Sequence, residues 1–227
     1  MKGKLVLIEG TDCSGKETQS KLIVENITKL GYKSKYFSFP AYDTPTGKII
    51  AGPLQGKPSY CKGYFEEGSP NVDPYVSSLY YAADRLYNIK KIESLLNNGY
   101  IVILDRYLYS NMAFQGAKIK DITKRKEMYN WIEKLEIDFL KLLVPDIKIF
   151  LHVETDIVCK LLNEREEEKD QNEMNTEFLR SAENAYLELC DIYDFIKIEC
   201  VDNNDMRSID SINGEIMDKI NKILTLK

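Results

Sequence analysis

The chain has 227 residues, 31 basic and 36 acidic, and its net charge of −5 argues against a surface that coats nucleic acid. No apolar run approaches the roughly 20 residues that cross a bilayer, and Met1 to Lys4 begin no secretory cleavage pattern. Five scattered cysteines and one histidine, His152, form neither a zinc pattern nor a disulfide framework, and we expect His152 to be structural. We therefore expect a cytoplasmic protein without membrane or nucleic-acid partners.

Short apolar runs alternate with stretches of helical periodicity, a pattern typical of β–α units around a parallel sheet. The predicted strands are residues 4–9, 35–39, 100–104, 147–153 and 196–201. The predicted helices are residues 15–30, 74–97, 108–117, 124–143, 156–165, 175–192 and 209–224. Without a repeat or linker, residues 1–227 are predicted to form one α/β domain of three layers, with a five-stranded parallel sheet flanked by helices.

Two segments lack a clear period. Residues 40–74 are rich in proline and are predicted to be surface structure over a cleft. Residues 164–173 are highly charged, and such runs usually form solvated, flexible faces.

The turn after the first strand has the pattern of a phosphate-binding loop. It reads Gly10-Thr11-Asp12-Cys13-Ser14-Gly15-Lys16, and a helix follows. Glycines at this spacing let backbone N–H groups surround phosphate oxygens, and the helix N-terminus adds a positive dipole. Lys16 supplies a mobile charge for the β- and γ-phosphates. These residues, with Glu17 and Thr18, are predicted to bind ATP.

Glu17 departs from the usual loop, in which Ser or Thr follows the lysine and its hydroxyl binds magnesium. A carboxylate oxygen also suits Mg²⁺, directly or through water. Alternatively, Glu17 only complements the helix dipole. Both interpretations stay open.

Three segments together resemble the thymidylate kinase family. The first is the loop from Asp12 to Gln19. The second is Asp105-Arg106-Tyr107, followed by Ser110-Asn111, Ala113 and Gln115-Gly116. The third is Leu79-Tyr80-Tyr81-Ala82-Ala83-Asp84-Arg85. Weaker likenesses at Pro145-Asp146, Arg165 and residues 177–189 extend the resemblance over most of the chain.

The resemblance implies a P-loop kinase fold and a nucleoside monophosphate kinase of nucleotide biosynthesis, which phosphorylates dTMP to dTDP with ATP by in-line transfer. Its implied catalytic residues are Asp12, Lys16, Asp105, Arg106 and Arg165. Asp105 would position Mg²⁺ or its waters, while Glu17 stays the second candidate ligand on the chemistry given above. Arg165 would close from a charged lid near residues 164–174, with Lys169 and Arg180 as alternatives. Family members are commonly homodimers, so we expect a homodimer.

The same resemblance implies roles around the acceptor nucleotide. Asp12 would bind the sugar 3′-hydroxyl, and Arg106 the acceptor phosphate. Tyr81 would stack on the pyrimidine. The remaining acceptor-binding residues are Phe39, Pro40, Arg85, Asn111 and Gln115, of which Arg85 and Gln115 would read the polar edge of the base and Asn111 would assist them.

Some family members have an arginine after Phe39-Pro40 that grips the acceptor phosphate. Here Ala41-Tyr42-Asp43 follows, so the grip is absent or is replaced by Tyr42 or Lys48. This departure leaves two alternatives open. One is a deoxynucleoside monophosphate kinase of different or broader base specificity, and the other is a catalytically silent, nucleotide-binding regulatory protein.

Overall fold

The structure, a computed structural model, describes residues 2–57, 59–164 and 175–225. Strands β1 to β7 are Lys4–Gly10, Ser34–Ser38, Ile101–Asp105, Ile147–His152, Ile196–Glu199, Val201–Asp202 and Asp205–Met206. Helices α1 to α8 are Lys16–Lys29, Pro45–Ile49, Pro74–Asn97, Leu108–Gly116, Ile122–Glu133, Thr155–Glu164, Thr176–Tyr193 and Ile209–Thr225. Two π-helical segments, Ile50–Leu54 and Lys134–Phe139, and the 3-10 turn Ser69–Asn71 lie between them.

The central sheet has the strand order β2-β3-β1-β4-β5, and all its pairs are parallel. Leu5 and Leu7 of β1 pack into the core on one face, whereas Val6 and Ile8 pack into the core on the other. Burial on both faces explains why β1 reads as a continuous apolar run. The predicted three-layer fold with five parallel strands is confirmed. Within the described ranges, we find no helix whose length and hydropathy suit a membrane span.

The segment after β2 folds back onto α3. Thr44 caps α2 by accepting from the Gly47 N–H at 3.2 Å, and Pro45 stands at the first helical position, where its missing N–H costs nothing. The buried Asp84 of α3 accepts from the backbone N–H of Ala41 at 2.8 Å and from the Thr46 hydroxyl at 2.7 Å. These contacts hold α2 and the following π-helix beside the carboxyl end of the sheet, where we predicted irregular surface structure.

Two predicted elements are wrong at their carboxyl ends, and the other predicted bounds differ from the structure by at most two residues. The helix predicted over residues 124–143 ends as α5 at Glu133 and continues as the π-helix Lys134–Phe139, which turns the fully buried Glu136 inward. The strand predicted over residues 196–201 ends at Glu199, and the hairpin β6–β7 follows. Asn203 and Asn204 form its turn at φ 50° and 65°, a conformation that asparagine tolerates.

Candidate active site

A cavity of about 470 Å³ lies beyond the carboxyl ends of β1, β2 and β3, where parallel sheets commonly bind ligands. Most of the predicted site residues line it together. They are Asp12, Cys13, Gly15, Lys16, Glu17, Thr18, Phe39, Pro40, Tyr81, Arg85, Asp105, Arg106, Asn111 and Gln115.

The phosphate-binding loop is closely packed against β4. A Cβ on Gly10 would lie 2.4 Å from the Ser14 Oγ and 2.8 Å from the Leu151 carbonyl oxygen, so only glycine fits there. Gly15, at φ 73°, has the left-handed conformation that lets the loop enter α1. The hydroxyl of Ser14 donates to the Thr11 carbonyl at 2.8 Å and fixes the turn.

Lys16 lies inside this loop, and its Nζ donates to the Thr11 carbonyl at 2.6 Å. Burial and the Arg106 guanidinium lower its pKa to about 8, since nearby carboxylates such as Asp12 offset these two effects only in part. A bound polyphosphate would supply the negative charge that the buried ammonium lacks, which is the chemistry expected of a phosphate-binding lysine.

Two carboxylates face the cavity from different elements. Asp105 ends β3 and accepts from the Tyr36 hydroxyl at 3.0 Å. Glu17 opens α1, but its carboxylate is 2.5 Å from the Lys21 ammonium and is mostly exposed. Oxygen ligands of this kind fit Mg²⁺, which keeps several waters and also binds substrate phosphates. Within the described ranges, no group of three or more potential metal ligands occurs.

Arg106 and Asp12 form an ion pair across the cavity, with 2.7 Å between the Arg106 Nη2 and the Asp12 Oδ1. Arg106 has φ 67°, which turns its side chain back from the end of β3. Its Nη1 donates to the hydroxyls of Ser110 at 3.4 Å and Tyr186 at 3.3 Å. Burial opposes its charge, yet Tyr186 and the carboxylates of Asp12, Asp105 and Glu9 raise its pKa, so this guanidinium stays positive.

Beneath Arg106 lies Glu9, a fully buried residue that the sequence reasoning missed. Its Oε1 accepts from the backbone N–H groups of Tyr107 at 2.8 Å and Ser110 at 3.0 Å and so caps the start of α4. Its Oε2 accepts from the hydroxyls of Ser110 and, at 3.1 Å, of Tyr186. Burial raises the pKa of Glu9, while these hydrogen bonds and the Arg106 charge oppose the rise. The sequence signal for Glu9 is its position directly after the apolar run 5–8, where a charged residue is expected to be buried with the strand. Nothing in the sequence singles out Tyr186.

The other end of the cavity holds Tyr81, Arg85, Asn111 and Gln115. Arg85 is already paired, because its Nε and Nη2 donate to the two carboxylate oxygens of Glu136 at 2.5 and 2.6 Å. The Oδ1 of Asn111 and the Oε1 of Gln115 are buried acceptors without a hydrogen-bond partner among the residues that the structure describes. Such atoms are rare in folded proteins and indicate a ligand that donates to them.

Of the remaining candidates, only Tyr42 lines the cavity within the described residues. Arg165, Lys169 and the lid near residues 164–174, apart from Glu164, lie outside the described residues. Arg180 is exposed and donates to Asp156 at 2.8 Å. Lys48 is exposed, whereas Tyr42 lines the cavity. His152 is structural in its contacts, since its ring nitrogens lie 3.0 Å from Glu183 and 2.6 Å from Glu199.

A glycine–lysine loop at the end of a central parallel strand, with an Asp–Arg pair facing it, defines a P-loop nucleotide-binding protein. The sequence profile described as thymidylate kinase matches residues 8–204. The chain belongs to the thymidylate kinase family and is therefore a nucleoside monophosphate kinase.

Relatives match the chain over most of its length. The thymidylate kinase of Schizosaccharomyces pombe is 28% identical over 223 residues, which cover 98% of this chain and 93% of that protein. A probable thymidylate kinase of Methanocaldococcus jannaschii is 30% identical over 220 residues, 96% of each chain. The solved thymidylate kinase of Candida albicans superposes with a TM-score of 0.74 at 26% identity and covers 97% of this chain and 92% of its own.

Proposed function

We propose that this chain transfers the γ-phosphate of ATP to dTMP, giving dTDP, by direct in-line displacement. The observation that carries the proposal is one continuous cavity that receives Lys16 of the phosphate loop, the Asp12–Arg106 pair and the orphaned acceptors Asn111 and Gln115. Phosphoryl transfer needs little covalent chemistry from a protein, so bringing donor and acceptor together is the main task of such a site.

On the donor side, the loop from Gly10 to Thr18 binds the polyphosphate of ATP, and Lys16 neutralises charge on its terminal phosphates. Asp105 and Glu17 would hold Mg²⁺, which supplies further neutralisation of the phosphates when bound. The position of Asp105 at the end of a central strand supports the first assignment. The Lys21 partner of Glu17 makes water-mediated binding the better-supported role for that residue.

On the acceptor side, Arg106 binds the phosphate of dTMP and Asp12 accepts from the 3′-hydroxyl of its sugar. Tyr81, which projects from α3 and lines the cavity, stacks on the base. The buried oxygens of Asn111 and Gln115 support recognition of a donor such as the N3–H of thymine. Arg85 contacts the base edge through donors that Glu136 does not use, since a guanidinium has five.

The acceptor phosphate is itself an anionic nucleophile, so the reaction needs no strong general base. Arg165, carried by the lid near residues 164–174, offsets charge on the transferring group, with Lys169 and Arg180 as alternatives. Closure of such a lid excludes water and limits hydrolysis of ATP.

The test is an ADP-release assay with ATP, magnesium and a panel of dTMP, dUMP, dCMP, dGMP and dAMP. The proposal expects dTMP to give the highest kcat/KM, and Lys16→Ala to abolish turnover while the circular dichroism spectrum is unchanged. Similar rates with several acceptors would indicate broader base specificity. ATP binding without ADP formation from any acceptor would indicate a regulatory protein.

We also propose that the chain is a homodimer through α3. Five large apolar side chains of this helix are 40 to 54% exposed, and four of them fall on one face: Val76, Leu79, Leu86 and Tyr87. Leu79 follows Val76 by three residues, and Leu86 and Tyr87 follow Leu79 by seven and eight, so the four form a stripe on the side of α3 opposite to Tyr81 and Arg85. Contiguous exposed apolar surface of this kind is typical of protein interfaces.

A further inference from the structure

Tyr36 is a half-buried residue of β2, the strand beside the one that ends at Asp105. In the parallel register, Ser38 pairs with Asp105, and Tyr36 precedes Ser38 by two residues. Residues two apart on a strand point to the same face of a sheet, so Tyr36 and Asp105 share one face. The long side chain of Tyr36 extends to the end of the strand, where its hydroxyl donates to the Asp105 Oδ2 at 3.0 Å.

Tyr36 acts on the cavity through this carboxylate. Asp105 lines the cavity and is 6% exposed, whereas Tyr36, among the described residues of β2, does not line it. A tyrosine hydroxyl keeps its proton at neutral pH and therefore acts as a donor to a carboxylate. A carboxylate has about four acceptor sites, so the bond from Tyr36 fixes the orientation of Asp105 and leaves acceptor capacity for a metal ion or its waters.

The strand order places Tyr36 and Lys16 on opposite sides of Asp105. β2 flanks β3 on one side, and β1, whose following loop leads to Lys16, flanks it on the other. Burial lowers the pKa of Lys16, and the charge of Asp105 is one of those that oppose this, so the two side chains are within electrostatic reach. An Asp105 side chain that turned toward this ammonium would direct its oxygens away from a metal ion. The Tyr36 hydroxyl opposes such a rotation from the β2 side.

We propose that Tyr36 is a positioning residue, whose hydroxyl holds the Asp105 carboxylate in the orientation that binds the metal ion of the ATP complex, directly or through water. Partners of this kind fix the orientation of a metal ligand, and their removal typically lowers metal affinity about 10- to 100-fold. The inference rests on the proposed function, since that function assigns Asp105 to Mg²⁺. It adds to the site a residue of β2 that stands outside both the phosphate loop and the Asp-Arg segment.

The experiment uses Mn²⁺ in place of Mg²⁺, because both ions prefer oxygen ligands and Mn²⁺ is detected by electron paramagnetic resonance. The Mn²⁺ dissociation constant is measured for the complex of the protein with a non-hydrolysable ATP analogue. Tyr36→Phe, which removes only the hydroxyl, is expected to raise this constant about tenfold. Its affinity for the analogue in EDTA, measured by titration calorimetry, should equal that of the wild type. Tyr32→Phe, at an exposed tyrosine just before β2, is the matched control.

A double variant tests whether Tyr36 acts through Asp105. Asp105→Ala should also weaken Mn²⁺ binding, and adding Tyr36→Phe to it should cause no further loss, because the hydroxyl then has no carboxylate to hold. Additive losses would show that the two residues act independently and would overturn the proposal.

Unchanged Mn²⁺ affinity in Tyr36→Phe or in Asp105→Ala would overturn the proposal as well. So would an equal loss of analogue binding in EDTA, because it would indicate a structural role for the hydroxyl. None of these measurements needs an acceptor. The proposed transfer to dTMP fails separately, in the acceptor panel, where a different preferred monophosphate leaves the Mn²⁺ result intact.

Discussion

The buried ammonium of Lys16 makes nucleotide binding depend on pH. Burial and the Arg106 charge lower its pKa to about 8, and the charged form is the one that binds phosphate. The affinity for ATP is therefore expected to be constant below pH 8 and to fall by about tenfold per pH unit above it. Titration calorimetry between pH 6.5 and 9.5 measures this. The Lys16→Arg variant keeps its positive charge over this range, so its affinity for ATP should not decline above pH 8. A decline that persists in this variant would assign the titration to another group.

Glu9 is expected to stabilise the site rather than to react. Glu9→Ala leaves the N–H groups of Tyr107 and Ser110 without their acceptor, which costs about 3 kcal/mol of unfolding free energy. Glu9→Gln keeps an acceptor oxygen for these groups and should cost clearly less. Denaturant unfolding of the two variants measures the difference. An equal loss in both would contradict a capping role for this carboxylate.

At the scale of single residues, the motif positions could be predicted because their chemistry is local. The glycine spacing and Lys16 define a phosphate loop from a short run of sequence. The pairing of Arg85 with Glu136 could not be predicted, since the two residues are 51 positions apart and meet only through tertiary packing.

The Arg85–Glu136 pair connects α3 to the π-helix Lys134–Phe139 inside the core, where both side chains are nearly inaccessible. Arg85→Met leaves a buried carboxylate without a partner and is expected to cost about 3 to 5 kcal/mol. The double variant Arg85→Met, Glu136→Leu removes both charges and should recover most of that loss. Urea unfolding provides the measurement, and a double variant no more stable than the single one would refute this account.

His152 joins three elements, because it ends β4 and contacts Glu183 of α7 and Glu199 of β5. The Glu183 hydrogen bond raises its pKa, burial opposes this, and Glu199 adds to the rise. A raised folded pKa stabilises the protein fully below the unfolded pKa of about 6.5, and the contribution is lost as the pH rises through the folded pKa.

The melting temperature of His152→Gln should therefore fall further below that of the wild type at pH 6 than at pH 9. We expect about 1 kcal/mol at pH 6, a shift of a few degrees, because Glu199 is partly exposed and solvent screens its charge. Thermal unfolding at both pH values measures it. A constant difference would show that the ring acts through packing alone.

Helices were predictable where their ends carry local signals. The predicted and observed bounds of α3 coincide, because Asp73 caps its first turn, Pro74 stands at the first position, and Gly99 follows its end. The second half of the helix predicted over residues 124–143 is wrong, because no local signal marks the change to the π-helix Lys134–Phe139. Glu136 of that segment pairs with Arg85, which is distant in the sequence. The turn at residues 55–57 likewise depends on contacts that no local pattern encodes.

At the scale of the whole molecule, the α3 face predicts the state of assembly. Leu79→Glu places a charge in the apolar stripe and should convert a dimer to a monomer in size-exclusion chromatography with light scattering. Lys29→Glu, which changes an exposed charged position of α1 outside this face, serves as the control. A monomeric wild type would contradict the proposed interface.

The fold as a whole followed from the alternation of strands and helices, since each parallel strand needs a helical crossover. The cavity followed only in part. Motif residues at strand ends were predictable, whereas the wall of Tyr42, Gln55 and Lys57 arises from the folding back of residues 40–57 onto α3.

The hydrogen bond between Glu9 and Tyr186 spans 177 positions of the chain. During synthesis, β1 and its loop leave the ribosome long before α7 does, so the floor under Arg106 stays open until the tyrosine has emerged. A nascent chain that stops before α7 has the whole phosphate loop in its sequence. It still lacks Tyr186, one of the three side chains to which the Arg106 guanidinium donates. The complete support of Arg106 is therefore expected only after α7 has emerged.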